Sequence, residues 1–279
     1  MMATFAKNEN KPGEAAAAAL TIYVCPKCKG SLAVAAHELR CNACAGAYPV
    51  RSDTPDFLGG DWRRSKNFSL RHANWFDWLA PIYETNLWYP VVMRLAGVKG
   101  VASLPELLKA VEEMTGTVSG TVLDVACGPG TFGRRIAAHA QAVCGIDISL
   151  GMLEQGRAYA QREHATNIQY ARACVEALPF AGETFAGALC CGSLHLFEDT
   201  GLALGEIART LQPGARLVGV TFTRTDTRFS RFARRHGARF FEVKQLGELL
   251  QEAGFEGYRP RTFGSALIFS AQLNGTRAA

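Results

Sequence analysis

Short apolar runs alternate with amphipathic stretches over residues 119–279. The apolar runs predict strands at 121–126, 142–146, 167–172, 185–191 and 215–223, and the amphipathic stretches predict helices at 132–140 and 150–162. Strands that alternate with helices in this way are typical of a parallel sheet with helices on both faces. We therefore predict an α/β domain over residues 119–279.

Residues 61–118 have a different pattern, in which aromatic side chains are frequent. The aromatic residues are Trp62, Phe68, Trp75, Phe76, Trp78, Tyr83, Trp88 and Tyr89. Trp75, Trp78 and Ile82 recur at helical spacing, and Pro81 interrupts the pattern. We predict a helical cap or linker in which most aromatic rings pack into a core and some line a substrate pocket.

Residues 20–60 contain two cysteine pairs, Cys25-x-x-Cys28 and Cys41-x-x-Cys44, separated by twelve residues. Four thiolates at this spacing suit a tetrahedral zinc site that is closed to chemistry and therefore structural. Two disulfides or a redox pair are the alternatives, but so short a segment buries too little to fold without a metal. We predict a zinc ribbon over residues 20–60 with a first strand at 21–24, glycines of positive φ after each pair at Gly30 and Gly46, and a disordered leader over residues 1–19.

The ribbon also carries a family resemblance. The segments YVCPKCKG (23–30), LRCNAC (39–44), YPV (48–50) and TPDFL (54–58) resemble the zinc-ribbon family related to the Trm112 methyltransferase activator. The resemblance covers about 40 residues and implies a structural or regulatory role for the ribbon.

The composition excludes several classes of protein. Forty-eight per cent of the 279 residues are hydrophobic and 20% are charged, which is too apolar for a disordered chain, and no apolar run is long enough to span a membrane. Nine cysteines are an odd number for a disulfide framework, so we expect a reducing compartment and a cytoplasmic protein. The apolar run at 15–24 superficially resembles the hydrophobic part of a targeting segment, so an organellar location is the alternative.

A glycine-rich loop, Gly128-Pro-Gly-Thr-Phe-Gly133, follows the first strand of the α/β domain and precedes a helix. Such a loop binds a nucleotide cofactor at the carboxyl edge of the sheet. Asp124, four residues before the loop, would repel a pyrophosphate but suits a cationic ligand such as S-adenosylmethionine. Asp147 ends the next strand, where it can accept hydrogen bonds from ribose hydroxyls or cap the following helix.

The same region carries a more specific resemblance. VLDVACGPGT (122–131), GIDIS (145–149), EALPF (176–180), SLH (193–195) and LQPGARL (211–217) resemble motifs of class I S-adenosylmethionine-dependent methyltransferases, in the branch typified by ubiquinone and menaquinone methyltransferases. The resemblance spans about 150 residues. It implies a Rossmann-like α/β sheet with helices on both faces, to which the zinc ribbon is added.

The resemblance also implies the cofactor-binding residues. These are Asp124, Ala126, Gly128, Gly130, Asp147, Ile148, Met152, Cys174, Val175 and Cys191. Asp124 and the glycines would face the methionine part, Asp147 the ribose, and Ile148 and Met152 the adenine. Two positions depart from the family: Ala126 replaces a usual glycine, and Cys174 replaces a usual aspartate, which leaves the Val175 backbone to bind the adenine amino group.

His195 is the candidate general base, because it follows the strand at 186–191 near the carboxyl edge of the sheet and a histidine can accept a proton at neutral pH. The alternative is a hydrogen-bonded packing histidine between Leu194 and Leu196. Methyl transfer is an in-line displacement that needs positioning more than a catalytic set. Cys190 is expected to be a buried small residue.

The net charge of +5 is concentrated in one stretch. Between Arg224 and Arg239 there are six arginines and one aspartate. Arg224, Arg228, Arg231 and Arg235 recur at helical spacing and predict one basic face. This face is either solvated, or it binds an anionic substrate, RNA phosphates or an acidic membrane surface.

Together these features predict a cytoplasmic S-adenosylmethionine-dependent methyltransferase with structural zinc. Its acceptor would be a small-molecule or lipid-like compound, such as a quinone-type or specialised metabolite. One alternative is an rRNA methyltransferase of the guanine-N1 type, because such enzymes also carry an N-terminal zinc module. The other is a non-catalytic scaffold whose ribbon binds partners. The sequence predicts neither the methylated atom nor the oligomeric state.

Overall fold

The computed structural model describes residues 22–35, 37–58, 73–85, 104–224 and 228–275, together with Val91, Arg94 and Val98. The predicted leader at 1–19 lies outside the described residues, and so do Trp62, Phe68, Trp88 and Tyr89. No helix in the described ranges is both long and apolar enough to span a bilayer.

Two sheets organise the described part of the chain. The small N-terminal sheet consists of β1 (Leu32–Ala35), β2 (Glu38–Cys41), β3 (Ala47–Arg51) and β4 (Thr54–Pro55), which pair in that order and antiparallel. The main sheet contains β5 (Val118–Val125), β6 (Ala140–Asp147), β7 (Ile168–Arg172), β8 (Phe185–Cys191), β9 (Leu211–Phe222), β10 (Phe255–Phe263) and β11 (Ala266–Leu273).

The main sheet is mixed, in the order β10-β11-β9-β8-β5-β6-β7. The five strands from β5 to β9 are parallel, whereas β11 is antiparallel to both β9 and β10. The predicted parallel pairing is confirmed for the five predicted strands, and the two strands that the sequence pattern does not predict, β10 and β11, pair antiparallel. Only Gly264 and Ser265 separate β10 from β11, and so short a connection allows a hairpin but no crossover.

Helices cover both faces of the main sheet, as the sequence pattern predicts. The helices of the described ranges are α1 (Ala73–Leu79), α2 (Leu104–Thr115), α3 (Thr131–Ile136), α4 (Leu150–Arg162), α5 (Thr200–Thr210), α6 (Arg228–Arg235) and α7 (Val243–Glu252), with 3-10 turns at Ala80–Ile82, Ala137–His139, Val175–Ala177 and Leu194–Leu196. Val111 and Ile136 pack with Val122 on one face. Ile207 and Leu246 pack on the other face, where burial of their side chains drives docking.

The N-terminal sheet docks on the β7 edge of the main sheet. Asp56 pairs with Arg172 as a parallel bridge, and the Phe57 amide donates to the Arg172 carbonyl at 2.8 Å. The Tyr23 ring packs between Phe57 and Phe180, with centroids 5.2 and 5.3 Å away. The two sheets thus share one hydrophobic core, and the exposed β7 edge is covered.

The first strand predicted at 21–24 is absent from the described part of that segment. Tyr23 and Val24 form only isolated bridges, to Phe180 and Ser31. The apolar character of this segment reflects its packing against the main sheet rather than its membership of a strand.

Candidate cofactor pocket and cysteine cluster

The glycine loop turns the chain from β5 into α3 through three residues of positive φ. Gly128 has φ 55° and Gly130 has φ 73°, and a Cβ on Gly130 would lie 2.5 Å from the Tyr170 hydroxyl. Ala126 also adopts a positive φ of 49°. This left-handed conformation costs a non-glycine residue about 1–2 kcal/mol, which explains why the resembling family has glycine at this position.

Asp147 ties the glycine loop to the start of α4. Its Oδ2 accepts a hydrogen bond from the Gly128 amide and its Oδ1 accepts one from the Ser149 amide, both at 2.8 Å. Burial raises the pKa of Asp147 to about 6. The cap of α4 is Ser149, whose hydroxyl accepts from the Met152 amide at 3.1 Å, so Asp147 is not the N-cap residue.

A cavity of about 750 Å³, partly open to solvent, lies at the carboxyl edge of β5 and β6. Eight of the ten predicted cofactor-binding residues line it: Ala126, Gly128, Asp147, Ile148, Met152, Cys174, Val175 and Cys191. The Cys174 thiol donates to Glu176 at 3.0 Å, and this Glu176 also lines the cavity.

The other two predicted residues, Asp124 and Gly130, do not line the cavity. Asp124 is 2% exposed and accepts from the Gly133 amide at 3.0 Å, on the inner side of the loop. Burial raises the pKa of Asp124 to about 7, and the nearby Asp147 adds to the shift. The predicted contact of Asp124 with a methionine ammonium stays a prediction. In this structure the glycine loop lies between the Asp124 carboxylate and the cavity, so its negative charge would act on a ligand across that loop.

Two aromatic residues, Phe76 and Tyr83, form a roof over the cavity. The roof is tethered at two points. The Asp77 carboxylate accepts from the Ser149 hydroxyl at 2.5 Å and from the Gly151 amide at 2.9 Å. The sequence predicts an aromatic cap, but no spacing signal identifies Asp77 as its anchor.

The second tether of the roof is Glu84, whose two carboxylate oxygens both accept from Nη2 of Arg134, at 2.8 and 3.0 Å. Thr131 donates to the same carboxylate. The Arg134 and Glu84 side chains are 6% and 16% exposed, so this ion pair is well shielded from solvent. Two cap residues expected to pack inward, Trp75 and Trp78, are instead 51% and 71% exposed.

His195 is buried beside the cavity but does not line it. Its ring contacts Phe222 at 5.0 Å and stacks on Phe240 at 5.7 Å, and its Nδ1 has no hydrogen-bond partner among the described residues. Burial lowers the pKa of His195 to about 4. The ring is therefore neutral at physiological pH but a weak base, and its catalytic role stays a prediction.

The four predicted zinc ligands form one cluster, in which all Sγ atoms lie within 4.8 Å of one another. The Cys25–Cys44 and Cys28–Cys41 sulfur distances are 3.6 and 3.5 Å. Sulfurs bound tetrahedrally at 2.3 Å from zinc lie about 3.8 Å apart, so the donor set and spacing fit this ion. The separations exclude a disulfide in either pair.

The turns of the cluster differ from the prediction in one detail. Lys29 and Ala45 adopt the positive φ values, 58° and 55°, that were expected of Gly30 and Gly46. Gly30 is required for space instead, because a Cβ there would lie 2.9 Å from the Ala43 side chain and 3.3 Å from the Cys28 sulfur.

Comparison with known proteins agrees with this geometry. Residues 122–214 match the family model described as "Methyltransferase domain". The chain is 35% identical over 144 residues to O-methyltransferase resE of Aspergillus sclerotiorum, which covers 48% of this chain and 54% of that protein. It is 33% identical over 158 residues to the ubiquinone/menaquinone biosynthesis C-methyltransferase UbiE of Geobacter sulfurreducens, with coverage of 55% and 60%.

Among solved structures, a SAM-dependent methyltransferase of Thermotoga maritima superposes with a TM-score of 0.54 at 21% identity, over 71% of this chain and 97% of that one. The chain spans little more than half the length of the two relatives above. Residues 122–214 are thus similar to a methyltransferase domain, and the chain shares its fold with a solved methyltransferase.

Proposed function

We propose that the protein transfers a methyl group from S-adenosylmethionine to a small-molecule or lipid-like acceptor. The observation that carries this proposal is the cavity at the carboxyl edge of β5 and β6. It gathers eight predicted cofactor positions around Asp147, whose carboxylate already fixes the glycine loop. The names of the two relatives, an O-methyltransferase and a quinone C-methyltransferase, favour a small acceptor.

The residues of the cavity fit the parts of this cofactor. Asp147 lines the cavity, and its carboxylate oxygens can each accept a further hydrogen bond from the ribose hydroxyls. Ile148 and Met152 supply apolar contact for the adenine, and the Val175 backbone lies beside them. Phe76 and Tyr83 exclude water from above. The bound cofactor supplies an activated methyl group on its sulfonium, so the protein's task is to orient donor and acceptor.

We also propose that the cysteine cluster binds a structural zinc ion within a Trm112-like ribbon. The closed set of four sulfurs leaves no position for a substrate, and the docking of Tyr23 and Phe57 on the main sheet supports a structural role. None of the nine cysteines forms a disulfide, which supports a cytoplasmic location for the protein.

The activity can be tested with S-adenosylmethionine that carries an isotopically labelled methyl group. The purified full-length chain is incubated with this donor and a panel of phenols, quinols and carboxylic acids, and products are detected by mass spectrometry. We expect at least one acceptor to gain one labelled methyl group, and Asp147→Asn to abolish the gain. A protein that neither binds the donor saturably nor labels any acceptor would refute the proposal.

A further inference from the structure

A second cleft, rich in arginine, lies beside the cofactor cavity. It encloses about 1000 Å³ including space open to solvent, between the start of α5, the segment that follows α6, and α7. Three arginines line it: Arg224, Arg234 and Arg239. We call it the arginine cleft. All three belong to the basic stretch between Arg224 and Arg239, but only Arg224 belongs to the basic face that helical spacing predicts.

The charge of the arginine cleft is uncompensated within the described part of the chain. No described carboxylate is ion-paired with Arg224, Arg234 or Arg239, whereas Arg134, Arg172 and Arg209 each have a carboxylate partner. One carboxylate, Asp199, lines the arginine cleft, but its Oδ1 accepts from the Leu202 amide at 2.9 Å as the cap of α5. Three cations against one engaged carboxylate leave the arginine cleft positive.

The arginine cleft and the cofactor cavity share a wall. Phe197 lines the cavity and Asp199 lines the arginine cleft, and two residues span at most about 7.6 Å of chain. Glu176, which lines the cavity, accepts from the Glu198 and Asp199 amides at 3.2 Å each. A ligand of metabolite size that is held in the arginine cleft therefore lies next to the cavity.

We propose that the arginine cleft binds an anionic group, a carboxylate or phosphate, of the small-molecule methyl acceptor. This inference rests on the proposed function. Guanidinium groups bind both kinds of anion through paired, charge-assisted hydrogen bonds, and Arg234 is half-buried, which strengthens such bonds. A concave site suits a compact anion better than a nucleic-acid backbone, which needs an extended basic surface.

The test uses two probes, sodium benzoate for a carboxylate and inorganic phosphate for a phosphate, titrated calorimetrically into the full-length protein. The double variant Arg234→Gln/Arg239→Gln removes two charges from the arginine cleft. The control variant Arg259→Gln/Arg261→Gln removes two exposed charges from β10. We expect at least one probe to bind saturably, its affinity to fall roughly tenfold or more in the cleft variant, and the control to stay within twofold.

The outcomes separate this inference from the proposed function. S-adenosylmethionine should bind all three proteins equally, because the substituted residues lie outside the cofactor cavity. If the wild type does not bind S-adenosylmethionine, the proposed function is refuted, and the binding of benzoate and phosphate alone then tests the arginine cleft. If neither probe binds the wild type, or if the cleft variant binds both as well as the wild type does, the inference is wrong. The inference is also wrong if the wild type binds a single-stranded RNA 20-mer in a salt-sensitive way and the cleft variant loses this binding but keeps its affinity for benzoate and phosphate.

Discussion

The contact between the N-terminal sheet and the main sheet includes one buried ion pair. Arg172 Nη1 lies 3.1 Å from Asp56 Oδ2, and the two side chains are 6% and 10% exposed. Arg172 also donates from Nε to the Ile148 carbonyl at 2.8 Å, next to the cofactor cavity. Asp56→Ala removes the Asp56 carboxylate from beside this buried guanidinium.

The expected cost follows from that burial. Removing one member of a buried pair costs about 3–5 kcal/mol, because the remaining charge is left without its partner in a poorly solvated place. Glu38→Ala provides a matched control in the same small sheet. Glu38 pairs with Arg40, but these side chains are 32% and 65% exposed, and such a pair contributes at most about 1 kcal/mol.

Urea unfolding of the wild type, Asp56→Ala, Arg172→Met and the double variant completes a thermodynamic cycle. We expect Asp56→Ala to lower the free energy of unfolding by about 3–5 kcal/mol. The double variant should lose at least about 2 kcal/mol less than the sum of the single variants. A loss below about 1 kcal/mol for Asp56→Ala, with additive single variants, would refute the reasoning that this pair anchors the ribbon.

Three further predictions concern the cofactor and the metal. Asp147→Asn should weaken S-adenosylmethionine binding at least about tenfold in calorimetry, because the acceptor of the Gly128 amide and the ribose loses its charge. The control Glu154→Gln, on the exposed face of α4, should bind as the wild type does, and equal affinities of the two variants would contradict the prediction. The pKa of Asp124 is about 7 and that of Asp147 about 6 before a cation binds, so both carboxyl groups lose protons between pH 6 and pH 8. The affinity for S-adenosylmethionine should therefore rise roughly tenfold over this range, with release of protons on binding. An affinity that does not change with pH would exclude this linkage between protonation and binding. Cys28→Ser should remove most bound zinc, measured by metal analysis, whereas Cys190→Ala should retain it; zinc retained by Cys28→Ser would disprove the ligand set.

Much of the fold could be predicted because local patterns determine it. The apolar runs identify the strands from β5 to β9 within a few residues, since these strands are buried and nearly continuous in hydrophobicity. The strand β10 carries no such signal, because only its first residue is buried and three of its side chains are charged. It forms a strand because β11 supplies a partner for its backbone.

The proximity of the residues that the family resemblance implies was predictable for the same reason. Most of them lie on the loops that follow β5, β6 and β7, so spacing along the chain predicts their proximity. Asp77 and Glu84 were not predictable, because they reach α4 and α3 from a segment more than 40 residues away. Their role depends on tertiary packing, which neither periodicity nor composition records.

The most direct test of the account is the identity of the ligand in the cavity beside Asp147. Crystals of the full-length protein are soaked with S-adenosylmethionine and with a nicotinamide dinucleotide, separately and together. We predict electron density for the sulfonium compound, with its ribose hydroxyls on the Asp147 carboxylate. Density for the dinucleotide, with its diphosphate on the Gly128–Gly130 loop and no sulfonium compound in either soak, would contradict the account.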